Sequence, residues 1–229
     1  MLFFMAHILI TDPPINQHLY DEFESVQILQ GNENIDKVLL DTMPEVDVIG
    51  APRTGIEKID LQECEKRGIK VVSLKGEREF LKEIPSVSEL VFWMMLELLR
   101  KPHNGRFLGS ELKGKTIGLL GYGRIARQVI DRAEAFQMDW MSNDIKYKLC
   151  SVEEIVEKAD IISLHASYEP GMPPILTRSH LQAMKRSVLI ANSARPQLIE
   201  PGAIYEAITN GWIAGYASDF LQDEQDLVP

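Results

Sequence analysis

The clearest chemistry in this chain belongs to two glycines and an acid. Gly121 and Gly123 stand in Gly121-Tyr-Gly-Arg-Ile-Ala126, directly after the apolar run Ile117–Leu120, and Asp144 falls 23 positions after Gly121. A strand leaving through Gly121 can turn tightly. Gly123 lacks the Cβ that would keep a phosphate off the backbone, and Ala126 is small enough for a helix to pack closely on the strand. The helix would open at Arg124 and Ile125, where free N–H groups and the macrodipole favour an anion. Ile125, Val129, Ala133 and Phe136 give it an apolar stripe facing a sheet. A carboxylate ending the second strand can accept hydrogen bonds from a ribose. A glycine pair alone marks many ordinary turns. Strand, turn, helix, second strand and acid in register predict a dinucleotide site, with Asp144 favouring NAD over its 2′-phosphorylated form.

Such residues need a parallel sheet to hold them, and the surrounding pattern supplies one. Strands are expected at 7–11, 26–29, 46–50 and 69–74, with helices at 17–23, 35–40 and 61–67, the last stopped by Gly68. Ser86–Arg100 reads as a helix that is apolar nearly all round and therefore buried. A Ser86/Glu89 capping box would open it, and Lys101–Arg106 would end it as a loop. Further strands are expected at about 116–120, 139–143, 161–165, 188–192 and 213–217. Helices follow Ser151 (a capping box with Glu154), near Leu181–Met184 and over Gly202–Thr209. The fold class is α/β. A doubly wound parallel sheet of Rossmann type should occupy residues 85–229, including a linking helix at 86–100. A smaller, reduced α/β lobe should occupy residues 1–84.

The 229 residues, 45% hydrophobic and 25% charged, suit two modest globular domains. A net charge of −10 without a Lys/Arg stripe argues against nucleic acid and against an anionic membrane surface. The apolar N-terminus lacks the basic flank and cleavage site of a signal peptide, and Met5 would serve equally well as a start. Leu90–Leu96 is too short to span a bilayer. Cys64 and Cys150 lack metal-type spacing and read as half-buried fillers in a reducing cytoplasm.

These landmarks together resemble the D-isomer-specific 2-hydroxyacid dehydrogenases, particularly their phosphoglycerate-dehydrogenase-like branch. Beside the glycine loop, the resemblance rests on Gly55–Asp60, Lys70–Glu77, Ser86–Arg100, Glu111–Lys115, Asp160–His165, Met184-Lys185, Asn192-Ser-Ala-Arg195 and Ala214–Asp219. It runs with gaps from Ala6 to about Glu224. It implies hydride exchange between NAD and a small 2-hydroxy or 2-keto acid. By the same resemblance Arg195 would grip the substrate's carboxylate and carbonyl, as its planar fork suits. Glu224 would orient a proton-carrying histidine, and backbone amides around Thr54 and Gly55 would hold the carboxylate. Gly121, Gly123, Arg124, Ile125, Asp144, His165 and Asp219 would line the cofactor. A homodimer through the Rossmann domain is implied as well.

The chain also departs from that pattern. The family's histidine follows a proline well beyond the glutamate, and only five residues follow Glu224. None of His7, His18, His103, His165 and His180 stands in that motif. Pro196 and Ser167 replace the usual glycine and proline, and Gln225 a further proline. The stretches before Met43, after Arg100 and after Asp144 are abbreviated. The expectation is a truncated chain with internal deletions that binds NAD(H) and is impaired in catalysis. A non-catalytic nucleotide-binding or interaction protein that keeps the fold stays open, as does a fragment without a competent cleft. Plainer roles stand beside the functional ones. Arg195 can be a loop arginine, Glu224 part of a solvated acidic tail, Asp144 a turn residue, Asp219 a local cap and His165 structural. Lys75 and Lys82 can be solvated charges, and Met94 and Met95 core filler.

Overall fold

The computed structural model describes residues 4–10, 23–28, 34–100, 102–103, 106–107, 109–147 and 149–219; for 4–10, 23–28, 102–103 and 106–107 only the backbone is described. The chain divides into two compact units, Met1–Glu83 and Ile84–Pro229.

The first unit runs β1 (Phe4–Ile10), β2 (Phe23–Ile28), α1 (Lys37–Asp41), β3 (Val48–Ala51), α2 (Leu61–Arg67), β4 (Lys70–Ser73) and α3 (Arg78–Lys82). Its parallel sheet has the order β2-β1-β3-β4. Asp60 caps α2 by accepting from the Glu63 N–H at 3.0 Å, and Gly68 ends it at φ 73°. Ile35, Leu40, Ile49, Ile59 and Cys64 fill the core, so Cys64 is fully buried rather than half-buried. The helix expected at 17–23 falls mostly outside the described residues, and Phe23 already belongs to β2. The polar helix α3 was not expected; it buries none of its residues, so it leaves no apolar stripe to read.

The second unit opens with α4 (Ser86–Leu99) and a small antiparallel hairpin, β5 (Pro102–His103) and β6 (Arg106–Phe107), where a plain loop was expected. It continues with β7 (Thr116–Leu120), α5 (Arg124–Ala135), β8 (Asp139–Asn143), α6 (Val152–Lys158) and β9 (Ile161–Leu164). Then come α7 (Arg178–Ala183), β10 (Leu189–Asn192), a 3-10 turn (Pro196–Leu198), α8 (Ala203–Thr209) and β11 (Gly215–Ser218). All five sheet strands are parallel, in the order β11-β10-β9-β7-β8. Alternate strand residues serve opposite faces. Ile117, Leu119, Ile161 and Ala191 pack with α4 and α5, while Leu120, Ile162, Leu164 and Ile190 pack with α6, α7 and α8. Both faces are covered, which is why these strands read as continuous apolar runs. Each such leucine or isoleucine contributes about 1.5–3 kcal/mol by burial.

Several local expectations need correction. Ser86 does not cap α4: Pro85 holds the cap position and no side chain bonds there, because Ser86 is already helical. Nor is α4 buried all round, since Trp93 is 61% exposed. Met94 and Met95 are core residues. On α5, Ala126 and Ile130 join Val129 and Ala133 in the core, while Phe136 is partly exposed and stacks on Phe92 at 5.2 Å. The Ser151/Glu154 capping box forms as expected, and Thr177 with His180 makes an unforeseen one on α7.

The strand order carries one omission. The classic doubly wound sheet runs 3-2-1-4-5-6, and among the described residues the position outside β8 is empty. The chain passes from Asp144 to Ser151 too quickly to build a strand there. The Cys150 N–H instead bonds Ser142 O at 3.0 Å, and Asn143 Nδ2 donates to Cys150 O at 2.7 Å. One short crossing blunts an edge that a third strand would otherwise cover.

Candidate functional site

Strand register puts the candidate residues of the second unit in one row. Asn143 pairs with Leu120, Leu120 with Leu164, Leu164 with Asn192, and Asn192 with Ser218. The five strands therefore end on one line, and the residues that follow them stand side by side: Asp144, Gly121, His165, Ser193 and Asp219. In open parallel sheets this carboxyl end is where ligands bind.

The glycines have separate tasks. Gly121 has φ +111°, and a Cβ there would lie 2.7 Å from Ala166 N and 2.8 Å from His165 C, so the end of β9 can come close only against glycine. Gly123 is exposed and a Cβ on it would meet nothing within 4 Å. It begins α5, and no side chain caps that helix. Arg124 and Ile125 form the first turn and are half-buried. Uncapped N–H groups beside open space fit an anionic group, and a dinucleotide's pyrophosphate is such a group. Asp144 accepts from the Tyr122 N–H at 2.9 Å and from the Lys146 N–H at 2.8 Å. Burial alone would raise its carboxyl pKa, but these backbone bonds, with one from Tyr147, hold it below the usual value. Tyr122, Trp140, Tyr147 and Arg127 gather around it in stacked and cation–π contacts. Reading the sequence missed this cluster. Its members lie on a loop, a strand, a turn and a helix, and share no period.

At β9, the His165 N–H bonds Leu120 O at 2.8 Å and its Nε2 lies 2.9 Å from Ser163 Oγ. Burial pushes the ring pKa down to about 4, so it is neutral at pH 7. His165 Nδ1 and Ser193 Oγ are buried without a partner, two polar atoms at the same strand ends. Beyond β10, buried Asn192 organises the loop: Oδ1 accepts from the Ala194 N–H at 3.0 Å, and Nδ2 donates to Arg195 O at 3.1 Å. Arg195 is extended (φ −147°, ψ 140°), as the residue before a proline should be, and Nη1 donates to Ala194 O at 2.7 Å. Asp219 is exposed after β11. Lost hydration raises its carboxyl pKa, and its own backbone N–H and then the charge of Arg195 oppose that rise.

Arg178 supports the Arg195 loop from behind. It donates to Glu206 at 2.6 and 2.8 Å and pairs with Glu200, while Leu176 bridges Ile199. Thr54 and Gly55 lie in the loop after β3 of the first unit, exposed and half-buried respectively. There the Leu74 N–H donates to Arg53 O at 3.2 Å. Glu224 lies outside the described residues.

Comparison with known proteins agrees with this geometry. Residues 92–228 match the family model of the NAD binding domain of D-isomer specific 2-hydroxyacid dehydrogenases, and residues 4–103 match that of their catalytic domain. A D-3-phosphoglycerate dehydrogenase of Methanocaldococcus jannaschii is 30% identical over 222 residues, covering 87% of this chain and 41% of that protein. A glyoxylate reductase of Thermofilum pendens is 30% identical over 219 residues, covering 84% and 63%. The chain thus spans less than two thirds of either relative. The crystal structure of D-lactate dehydrogenase from Aquifex aeolicus, complexed with NAD and lactic acid, matches with a TM-score of 0.72 at 24% identity. The match covers 97% of this chain and 79% of that one, a likeness of fold.

Proposed function

The chain belongs to the D-isomer specific 2-hydroxyacid dehydrogenase family, and from that premise we propose an NAD-linked oxidoreductase of small 2-hydroxy and 2-keto acids, impaired in proton transfer over these 229 residues. The observation that carries this reading is the row of Asp144, Gly121, His165, Ser193 and Asp219 along one sheet edge, with Arg195 two residues beyond Ser193. Gly123, Arg124 and Ile125 would receive the pyrophosphate, Asp144 the adenosine ribose, and the strand ends at His165 and Asp219 the rest of the cofactor. When bound, NAD(H) supplies the hydride chemistry. Arg195 is the substrate group, able to grip a carboxylate bidentately and polarise the adjoining carbonyl. In the first unit, the family resemblance assigns Thr54 and Gly55 a carboxylate-binding role through their backbone amides.

Proton transfer is the weak step. The His165 ring is bonded to Ser163 and uncharged at neutral pH, and His180 is held in the capping box of α7. His165 is buried at the strand end and His180 is tied into its capping box, so among the described residues neither presents an exposed ring to the oxygen that Arg195 would polarise. A positioned acid/base is worth about 10²–10⁴-fold in rate, so turnover should fall short of a normal dehydrogenase by that order. The test is NADH oxidation with glyoxylate, pyruvate, hydroxypyruvate and 2-oxoglutarate. Ordinary turnover abolished by Arg195→Ala would overturn the impairment.

A second reading, nucleotide binding without catalysis, is favoured by the inward hydrogen bond of Arg195 to Ala194 O. It predicts NADH binding with no turnover on any of these acids. The proposal extends to a homodimer through the NAD-binding unit, supported by the exposed indole of Trp93 and tested by analytical ultracentrifugation. It extends also to a reducing, cytoplasmic setting, supported by the free thiols of Cys64 and Cys150. Among the described residues no helix is long and apolar enough to cross a membrane.

A further inference from the structure

Asp144 stands where a ribose would meet it, yet each of its oxygens is already engaged by backbone. Oδ1 takes the Lys146 N–H at 2.8 Å, closing the turn that follows β8. Oδ2 takes the Tyr122 N–H at 2.9 Å, reaching across the sheet edge to the residue between the two loop glycines. A carboxylate offers about four lone-pair sites, and with the Tyr147 N–H also bonded one remains for a ligand.

The Tyr122 ring is fixed at the same time. It stacks on Trp140 at 6.2 Å, meets Tyr147 edge-on at 5.4 Å, and carries the Arg127 guanidinium 4.2 Å over its face. A Gly-X-Gly loop is otherwise among the freest backbone a protein can build, because glycine has the most conformations to lose. The turn exists because the chain here makes no third strand. It doubles back after Asp144, and Lys146 and Tyr147 bring their N–H groups to the acid while the Tyr147 ring meets that of Tyr122.

We propose that Asp144 is a positioning residue for the glycine loop, holding its phosphate-binding backbone in shape through Tyr122 before any cofactor arrives and independently of any contact with the ribose. This rests on the reading of the second unit as NAD-binding. It has a consequence for cofactor choice. If the acid served only to repel a 2′-phosphate, removing it would shift preference towards NADP(H). Here removal also releases Tyr122 and the loop, a loss that falls on every adenine dinucleotide alike and adds to any change of preference. The carboxyl, held ionised by backbone bonds, keeps the clamp closed at neutral pH.

The experiment uses the full chain, wild type and Asp144→Ala, with ADP and 2′,3′-dideoxy-ADP as calorimetric probes. Exchange of the Tyr122 amide in the unliganded protein is followed by NMR. Asp144→Ala should weaken dideoxy-ADP, which has no ribose hydroxyls to lose, by about tenfold or more, the span of one charge-assisted hydrogen bond. The Tyr122 amide should exchange at least about tenfold faster. Asp144→Asn, whose single carbonyl oxygen can still accept one N–H, should fall between; it decides by the same criteria if the alanine variant does not fold. Unchanged dideoxy-ADP affinity beside weakened ADP affinity, or unchanged Tyr122 exchange, would each overturn the proposal. A wild-type chain that binds no adenine nucleotide would sink the NAD reading instead, and the unliganded exchange rate would still decide the clamp.

Discussion

Alanine at Gly121 and alanine at Gly123 should fail in opposite ways. At Gly121, φ is +111° and the new Cβ would press on Ala166 N at 2.7 Å and on His165 C at 2.8 Å. A non-glycine residue in that backbone region costs about 1–3 kcal/mol. Crowding against backbone that cannot rotate away adds about 1–3 kcal/mol. A total near 4 kcal/mol, at about 2–4 °C per kcal/mol for a chain this long, lowers Tm by roughly 8–16 °C. At Gly123, φ is −82° and nothing lies within 4 Å of the added methyl. The fold loses only a favourable cap residue, under about 1 kcal/mol. The methyl does occupy the space a phosphate must enter, so NAD(H) affinity should fall by at least about tenfold. Calorimetric melting and NADH titration of both variants give the comparison. A Gly123→Ala protein with wild-type affinity would show that no phosphate approaches there. A Gly121→Ala protein with unchanged Tm would refute the close approach of β7 and β9.

Other perturbations test the supporting structure. The His165 ring, held at about 4 against an ordinary 6.5, takes its proton in the unfolded chain first. Its contribution is therefore complete above about pH 6.5 and is lost as pH falls towards 4, by up to about 3 kcal/mol. Urea melts at pH 7 and pH 4.5 should show wild type losing more stability than His165→Gln, and equal losses would contradict the buried neutral ring. Arg178→Ala frees Glu206, leaves Glu200 only the backbone N–H at position 178, and should speed amide exchange at Leu198 and Ile199; unchanged exchange would separate that network from the Arg195 loop. Ser151→Ala removes half of a formed capping box and should cost about 1 kcal/mol in a urea melt, with no change in NADH affinity. The wild-type protein should bind NAD(H) more tightly than NADP(H) by calorimetry, because Asp144 is ionised at the ribose end; the reverse order would remove that role.

The second unit was legible because its strands are buried on both faces and its turns are fixed by glycine. Ile117–Leu120, Ile161–Leu164 and Leu189–Asn192 announce themselves as apolar runs, and Gly121 and Gly123 mark where the first must turn. What escaped depended on groups that meet only in space. Tyr122, Trp140, Tyr147 and Arg127 share no period. Ser163 and His165 are two apart on one strand, but nothing in a sequence says that a serine hydroxyl will hold an imidazole. Ser86 and Glu89 had the spacing of a capping box, and the helix began one residue too early for it. The empty position beside β8 was signalled by the short stretch between Asp144 and Ser151. That the same shortening would fold a turn onto the carboxylate was not. Arg195 followed from the Asn192-Ser-Ala-Arg motif, whereas the bracing by Arg178 comes from a segment 17 positions earlier and could not be read in advance.

The most direct test of the account is the crystal structure of the 229-residue protein soaked or grown with NADH. The account predicts the pyrophosphate against Gly123 and the first turn of α5, and the adenosine ribose within hydrogen-bond distance of Asp144 with the Tyr122 N–H still on the same carboxylate. It also predicts the nicotinamide end over the strand ends at His165 and Asp219, on the side of Arg195. NADH bound elsewhere, or bound there with Asp144 turned away from both the ribose and Tyr122, would contradict it.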